Sequence, residues 1–263
     1  MKQFKICSMC VLLVLVFLCG CSNSVNTVRI TPEIDDAVAQ AILKDNDSNY
    51  SEGECSAEGH IIYGAELKNN RIHVYSYIDY AWFGFQNGNF VDVSGGSMPA
   101  VFELNADDYS VIKVNYPQGG ENYGSSIEKL FSKKYVNKAL YPTVFNRKNL
   151  DKQLNKYAEN YLKSINREAV IGRMADFDYI LPTDLGVSVE VSNSLLELER
   201  DMGYCYPYWI GNQEFIENGI RYVYALDYDK EKNLLIYSKY EYSKPKVLLE
   251  KFVVDSLTGK IVQ

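Results

Sequence analysis

The two histidines, His60 and His73, are the first residues to question for metal or acid–base chemistry. Both lie in residues 58–104, EGHIIYGAELKNNRIHVYSYIDYAWFGFQNGNFVDVSGGSMPAVFEL, and that stretch decides what they can do. Asn69-Asn70 suits a two-residue turn with positive φ, so Lys68 faces Arg71 in a hairpin. Counting outward, Glu66 faces His73 and His60 faces Asp79. In that register Ile61, Tyr63, Ala65, Leu67, Ile72, Val74 and Ile78 share one face and the polar residues the other. The histidines share the polar face six steps apart, on the order of 20 Å at a strand's rise, which is too far to hold one metal. They read as surface cross-strand charge pairs. No His-Glu-x-x-His occurs, so zinc-protease chemistry lacks its ligands.

Ser126-Ile127-Glu128-Lys129 places a lysine one helical turn from a hydroxyl and resembles the Ser-x-x-Lys of penicillin-recognising serine enzymes. The companion Lys-Thr-Gly is missing; Thr258-Gly259-Lys260 runs in the reverse sense. A capping box, Ser125 to Glu128, accounts for the same residues without catalysis. No cofactor motif is present. Tyrosine is abundant at 22 residues. The segment Tyr204-Cys205-Tyr206-Pro207-Tyr208-Trp209 sets four aromatics around a proline that forbids a central strand, which makes it the candidate contact surface. Such a segment either fills an interface between modules or faces a partner. Cys55 and Cys205 are a candidate disulfide, and separate thiols are equally compatible with the sequence.

These residues need an α+β frame. Thr31-Pro32 opens a helix with Ile34, Ala37, Val38, Ala41 and Ile42 on one face, suited to cover the sheet that follows. The 58–104 hairpins, the Gln86 to Asn89 turn and a strand near Val111 and Ile112 give an antiparallel sheet with one buried face. A short helix then completes a first module, 32–138, cystatin/NTF2-like in outline. A second module, 149–263, starts with a helix carrying Leu150, Leu154, Tyr157, Ala158, Tyr161, Leu162 and Ile165 on one stripe. Val187, Val189 and Val191 alternate as a short strand, and a capping box at Ser194 to Glu197 opens another helix. Strands follow at 222–226, 234–237 and 247–254.

Residues 1–20 carry Lys2 and Lys5, then an apolar run, and end in Leu18-Cys19-Gly20 before Cys21. This resembles the lipobox of bacterial lipoproteins, which implies cleavage before Cys21 and lipid attachment there, followed by a tether over 21–31. The implied location is the extracytoplasmic face of the cell membrane, held through the lipid. The formal charge is −7, and removing residues 1–20, which hold two lysines and no acid, makes it −9. So acidic a chain is repelled by phosphate backbones and anionic lipid surfaces, which speaks against nucleic acid as a partner and leaves the lipid to supply membrane attachment.

Asp255-Ser256-Leu257-Thr258-Gly259-Lys260 and the short strand after it resemble the end of PepSY-type domains. AVAQAILKDN, EGHIIYGAE, FGFQNGNFVDVSGG and SSIEKLF in 33–135 resemble the extracytoplasmic C-terminal region of BlaR/MecR-like antirepressor membrane metallopeptidases. TDLGVSVEVSN, YPYWIGNQ and VVDSLTGK resemble the tails of the same proteins. The peptidase and its zinc motif are missing. The resemblance implies a sensing or binding role toward an unknown protein or small ligand, without proteolysis. A cell-envelope protein that restrains a peptidase, or a structural role there, is the alternative.

Overall fold

The computed structural model describes residues 26–46, 50, 53–201, 206–243 and 246–263. The chain is α+β: helices pack on a large, mainly antiparallel sheet. Strand β1 (Asn26–Val28) lies within the stretch that reads as a tether and pairs with β2 (Cys55–Lys68), Asn26 facing Leu67. The β-branched Thr27 and Val28 satisfy an edge that would otherwise be open. Helix α1 (Pro32–Asn46) follows, with the Thr31 hydroxyl accepting from the Ile34 amide at 3.5 Å. Its Ile34, Val38 and Ile42 bury against Val74, Ile78, Phe102 and Leu104 of the sheet.

Strands β2, β3 (Arg71–Gln86) and β4 (Asn89–Asn105) form a meander of two tight hairpins. Asn69 and Asn70 take positive φ (50° and 59°), as do Asn87 and Gly88 (49° and 78°), so both turns have the hand that sheet twist demands. Glu66 faces His73. The register then slips at Tyr63, where a bulge shifts the pairing, so His60 faces Ile78 and not Asp79. Gly64 beside it takes a positive φ of 156°, and a Cβ there would meet the Tyr135 hydroxyl, so this glycine is the one local mark of the extra position. The slip moves His60 to the α1 face and buries it, with 8% of its surface exposed, which corrects the surface pairing expected for it.

Among the described residues strand β5 (Val111–Asn115) pairs with β4 alone. Helices α2 (Tyr123–Leu130) and α3 (Lys133–Leu140) cover the other face through Ile127, Phe131, Tyr135 and Ala139. Helix α4 (Val144–Ser164) packs Leu154, Ala158 and Leu162 on Ala81, Phe83, Phe85 and Phe90. It also closes the edge of β2: the Gln153 amide accepts from the His60 backbone N–H at 3.1 Å and donates to its carbonyl at 3.0 Å. Strand β6 (Ile171–Arg173) lies parallel to β4.

Residues 187–191 form no strand. Helix α5 (Val189–Asp201) begins there, with the Ser188 hydroxyl accepting from the Val191 amide at 3.2 Å. Val187, Val191 and Leu195 are buried every fourth residue, a spacing that a two-residue alternation imitates over so short a run. Ser194 and Glu197 therefore fall inside the helix and do not open it, just as Ser125 falls inside α2. Four strands complete the sheet: β7 (Gly211–Glu217), β8 (Ile220–Asp229), β9 (Leu234–Glu241) and β10 (Val247–Asp255). The link to the meander is narrow: Gln86 faces Gln213, and the Asn87 amide donates to the Asn212 carbonyl at 2.8 Å.

Candidate functional site

A broad groove lies between α1 and β5. Ala37 and Ala41 are too small to reach the strand, and Tyr109 to Val114 form the opposite wall of a groove of about 630 Å³. Val111 and Ile112 remain 36% and 48% exposed there. The groove is fixed at one end, where the Tyr116 hydroxyl donates to Asp45 at 2.7 Å and the Asn46 amide donates to the Ile42 carbonyl at 2.9 Å. Gln40, Lys44, Asp45 and Ser110 supply polar contacts along it. An open sheet edge beside an apolar trough is the geometry by which extended peptides add to a sheet. Sequence patterns revealed both walls but not that β5 ends the sheet.

The clusters able to do chemistry are elsewhere, and their groups are engaged with one another. Buried Glu66 accepts from Lys68 at 2.7 Å, Lys134 at 3.0 Å, Ser132 at 2.5 Å and Tyr75 at 3.0 Å. Burial would raise its pKa, yet these donors hold it at about 2. Lys68 lies 3.0 Å from the Ser132 hydroxyl, a spacing suited to a base and its nucleophile. Burial would pull the Lys68 pKa down, but Glu66 outweighs it and raises the pKa, so the ammonium keeps its proton. Ser126, of the Ser-x-x-Lys, donates to the Tyr123 carbonyl at 2.8 Å and accepts from the Gln118 amide at 2.9 Å. Its hydroxyl is spent on holding the turn before α2.

A second cluster surrounds Arg173, which bonds Asp79 at 2.6 Å, Asp151 at 2.6 Å and Asp92 at 3.2 Å beside a small pocket of about 210 Å³. Burial raises the pKa of Asp79 and Asp92 despite the guanidinium. A third ties the two parts of the sheet together. Arg167 grips Glu214 at 2.7 and 3.1 Å, and Arg221 bonds both Glu54 and Glu214 while lying over the Phe85 ring. Among the described residues no group of His, Cys, Asp and Glu is arranged to hold a metal ion.

His60 joins three elements. Its Nδ1 lies 2.8 Å from Glu58, its Nε2 3.1 Å from Asp35 on α1, and Glu58 in turn accepts from Tyr157 on α4 at 3.0 Å. Burial alone would lower its pKa, but the two carboxylates outweigh burial and raise it. His73 goes the other way, chiefly through burial. With only these two imidazoles in the chain, NMR titration resolves them: His60 titrates above 6.5 and His73 below it. The stability from protonated His60 is complete below the unfolded pKa of about 6.5 and is lost as pH rises through the folded value. The reverse order of midpoints would show that the carboxylates do not face His60 in solution.

Of the described residues of the candidate contact surface, Tyr206 and Trp209 are packed inside and Tyr208 is presented, at 46% exposure. Tyr206 meets the rings of Tyr224, Tyr237 and Phe252; Trp209 meets Tyr179 and Tyr208. Pro207 keeps the segment out of a ladder, and the hydrophobic effect then folds its large rings inward. Cys55 is a thiol whose pKa burial, with help from Glu54, pushes up to about 11. Cys21, Tyr204 and Cys205 lie outside the described residues. Among the described residues no helix is long and apolar enough to cross a membrane.

No protein-family model, curated protein or solved structure matches this chain.

Proposed function

We propose that the chain is a lipoprotein held at the extracytoplasmic face of the cell membrane through Cys21, serving as a sensor or accessory module that binds a protein or small ligand. It is not proteolytic and not an enzyme in this reading. The observation that carries it is the α1–β5 groove, an open sheet edge with an apolar trough beside it. The lysine, serine and histidine clusters support the non-catalytic part, because their partners already occupy them. In the finer architecture, the chain comprises two modules, the first cystatin/NTF2-like and the second PepSY-like in outline. A second reading, an envelope protein that restrains a peptidase, draws on the exposed Val247, Leu248 and Leu249 of β10, in the PepSY-like part.

Cys21→Ala tests the anchor: the protein then leaves the membrane fraction once residues 1–20 are removed, because the acyl chains supply the attachment. Retention in membranes after that cleavage would refute lipid attachment. A photo-crosslinking side chain at Ile112 tests the groove in intact cells, with Lys230 as the control position. Capture of one discrete partner at Ile112 alone supports the binding reading; equal capture at both positions defeats it.

A further inference from the structure

The chain is acidic as a whole, yet one helical surface carries a run of lysines. Residues 129–138, KLFSKKYVNK, hold Lys129, Lys133, Lys134 and Lys138 and no carboxylate. They span the end of α2 and most of α3, whose buried side is Tyr135 and Ala139, so the lysines occupy the outward side. The start of α3 is fixed to the β2–β3 turn, where Lys134 and Lys68 share Glu66 and Ser132 donates to the same carboxylate. That turn adds Lys68 and Arg71 to the basic surface. Glu66 and Glu103 neutralise Lys68, Lys134 and Arg71 in part, and Glu128 stands beside Lys129. Exposed Asp107 and Asp108 stand in the neighbouring turn, where Asn105 faces Arg71. Lys129, Lys133 and Lys138 form no ion pair among the described residues, so the basic character rests on the α2–α3 lysines. Tyr141, at 74% exposure, follows directly, the kind of side chain that sits at a headgroup boundary.

The position of this surface identifies its occupant. Asn26 faces Leu67, next to the Lys68–Arg71 turn, so the chain coming from Cys21 enters the fold at that turn. Asn26 is five positions beyond Cys21, a reach of at most about 17 Å. We propose that the α2–α3 lysines and the β2–β3 turn lie on an anionic lipid surface, which sets the orientation of the molecule on its membrane. This rests on the anchored reading for the attachment point, while the charge segregation is independent of it. The acidic remainder is repelled by the same surface, so attraction at one end and repulsion elsewhere act as a single torque. The α1–β5 groove opens at the sheet edge opposite β1, about four strand spacings or ~19 Å away.

The test is lysine acetylation of the full chain in lipid nanodiscs, read residue by residue by mass spectrometry. In discs containing anionic lipid, Lys129, Lys133 and Lys138 react roughly tenfold more slowly than in zwitterionic discs, and high salt removes the difference. Lys230 and Lys251 react equally in both. The triple change Lys129→Gln, Lys133→Gln, Lys138→Gln, which spares the Glu66 cluster, abolishes the lipid dependence at Lys68 and Lys134. Equal labelling in the two lipids, or slowing spread over every lysine, overturns the proposal. If the chain joins neither disc, the anchored reading fails. Labelling of the chain mixed with anionic vesicles then decides the surface alone, and unprotected lysines reject it.

Discussion

Arg173→Leu lowers the stability of the fold by roughly 3 kcal/mol at neutral pH. Removing one partner of a buried ion pair typically costs about 3–5 kcal/mol, because the other charge is left uncompensated. The lower end applies because the Arg173 side chain is about a quarter exposed to screening water. It serves three carboxylates from three elements, Asp79 of β3, Asp92 of β4 and Asp151 of α4, and its neighbour Met174 donates its backbone N–H to Asp92 at 2.6 Å. The pH dependence separates this cause from simple loss of packing. Asp79 and Asp92 already have pKa values raised by burial, so between the unfolded value of about 3.8 and the folded value the native state binds more protons, and stability falls as pH rises through that window. Without Arg173 the window widens upward. The deficit therefore shrinks on acidification from pH 7 toward 5 in chemical-denaturation curves. A deficit that is constant across that range, or below about 1 kcal/mol, would place the cost in packing alone.

Trp209→Ala removes about 3–5 kcal/mol, the usual range for deleting a buried tryptophan. The ring is 2% exposed and makes edge-on contacts with Tyr179 and Tyr208, each with centroids 4.9 Å apart. Tyr179 passes the contact on by donating its hydroxyl to Gln86 at 2.9 Å, at the point where β3 meets β7. Among the described residues the indole N–H has no hydrogen-bond partner, so no polar contact described there is lost when it goes. Trp209→Phe consequently recovers most of the loss, whereas a role in partner contact would leave the stability of both variants near wild type. A thermally unaffected Trp209→Ala that has lost binding would return this residue to the surface.

The meander was legible because its turns carry their own chemistry. Asn-Asn and Asn-Gly adopt positive φ cheaply, and alternation of apolar residues fixed the Glu66–His73 pairing. The bulge at Tyr63 is less plain: Gly64 marks it with its positive φ, but apolar residues continue on both sides, so the alternation reads as unbroken. His60 consequently moved from an imagined surface pair to a buried bridge between α1 and α4. Strand β7 was overlooked although Asn218-Gly219 marks its hairpin, with φ of 52° and 78°, because Gly211 to Glu217 alternates weakly. The groove escaped for a different reason. Alanines at 37 and 41 look like any helix face, and only the sheet order shows that the strand beside them has no further neighbour. Ion-pair clusters such as Glu54, Arg221, Glu214 and Arg167 join residues far apart in the chain, and no local spacing announces them.

The narrow seam between β3 and β7 also sets an order of assembly. Gln86 and Gln213 lie 127 positions apart, whereas every pairing within the β1–β5 meander closes inside residues 26–115. During synthesis the ribosome has released all of that meander before residue 213 exists, so the first sheet can seek its own minimum without the second. Loop-closure entropy weighs on the seam and hardly at all on the two-residue hairpins. The aromatic plug and the arginine clusters at the seam thus act last, fastening together parts whose strands have already found their neighbours.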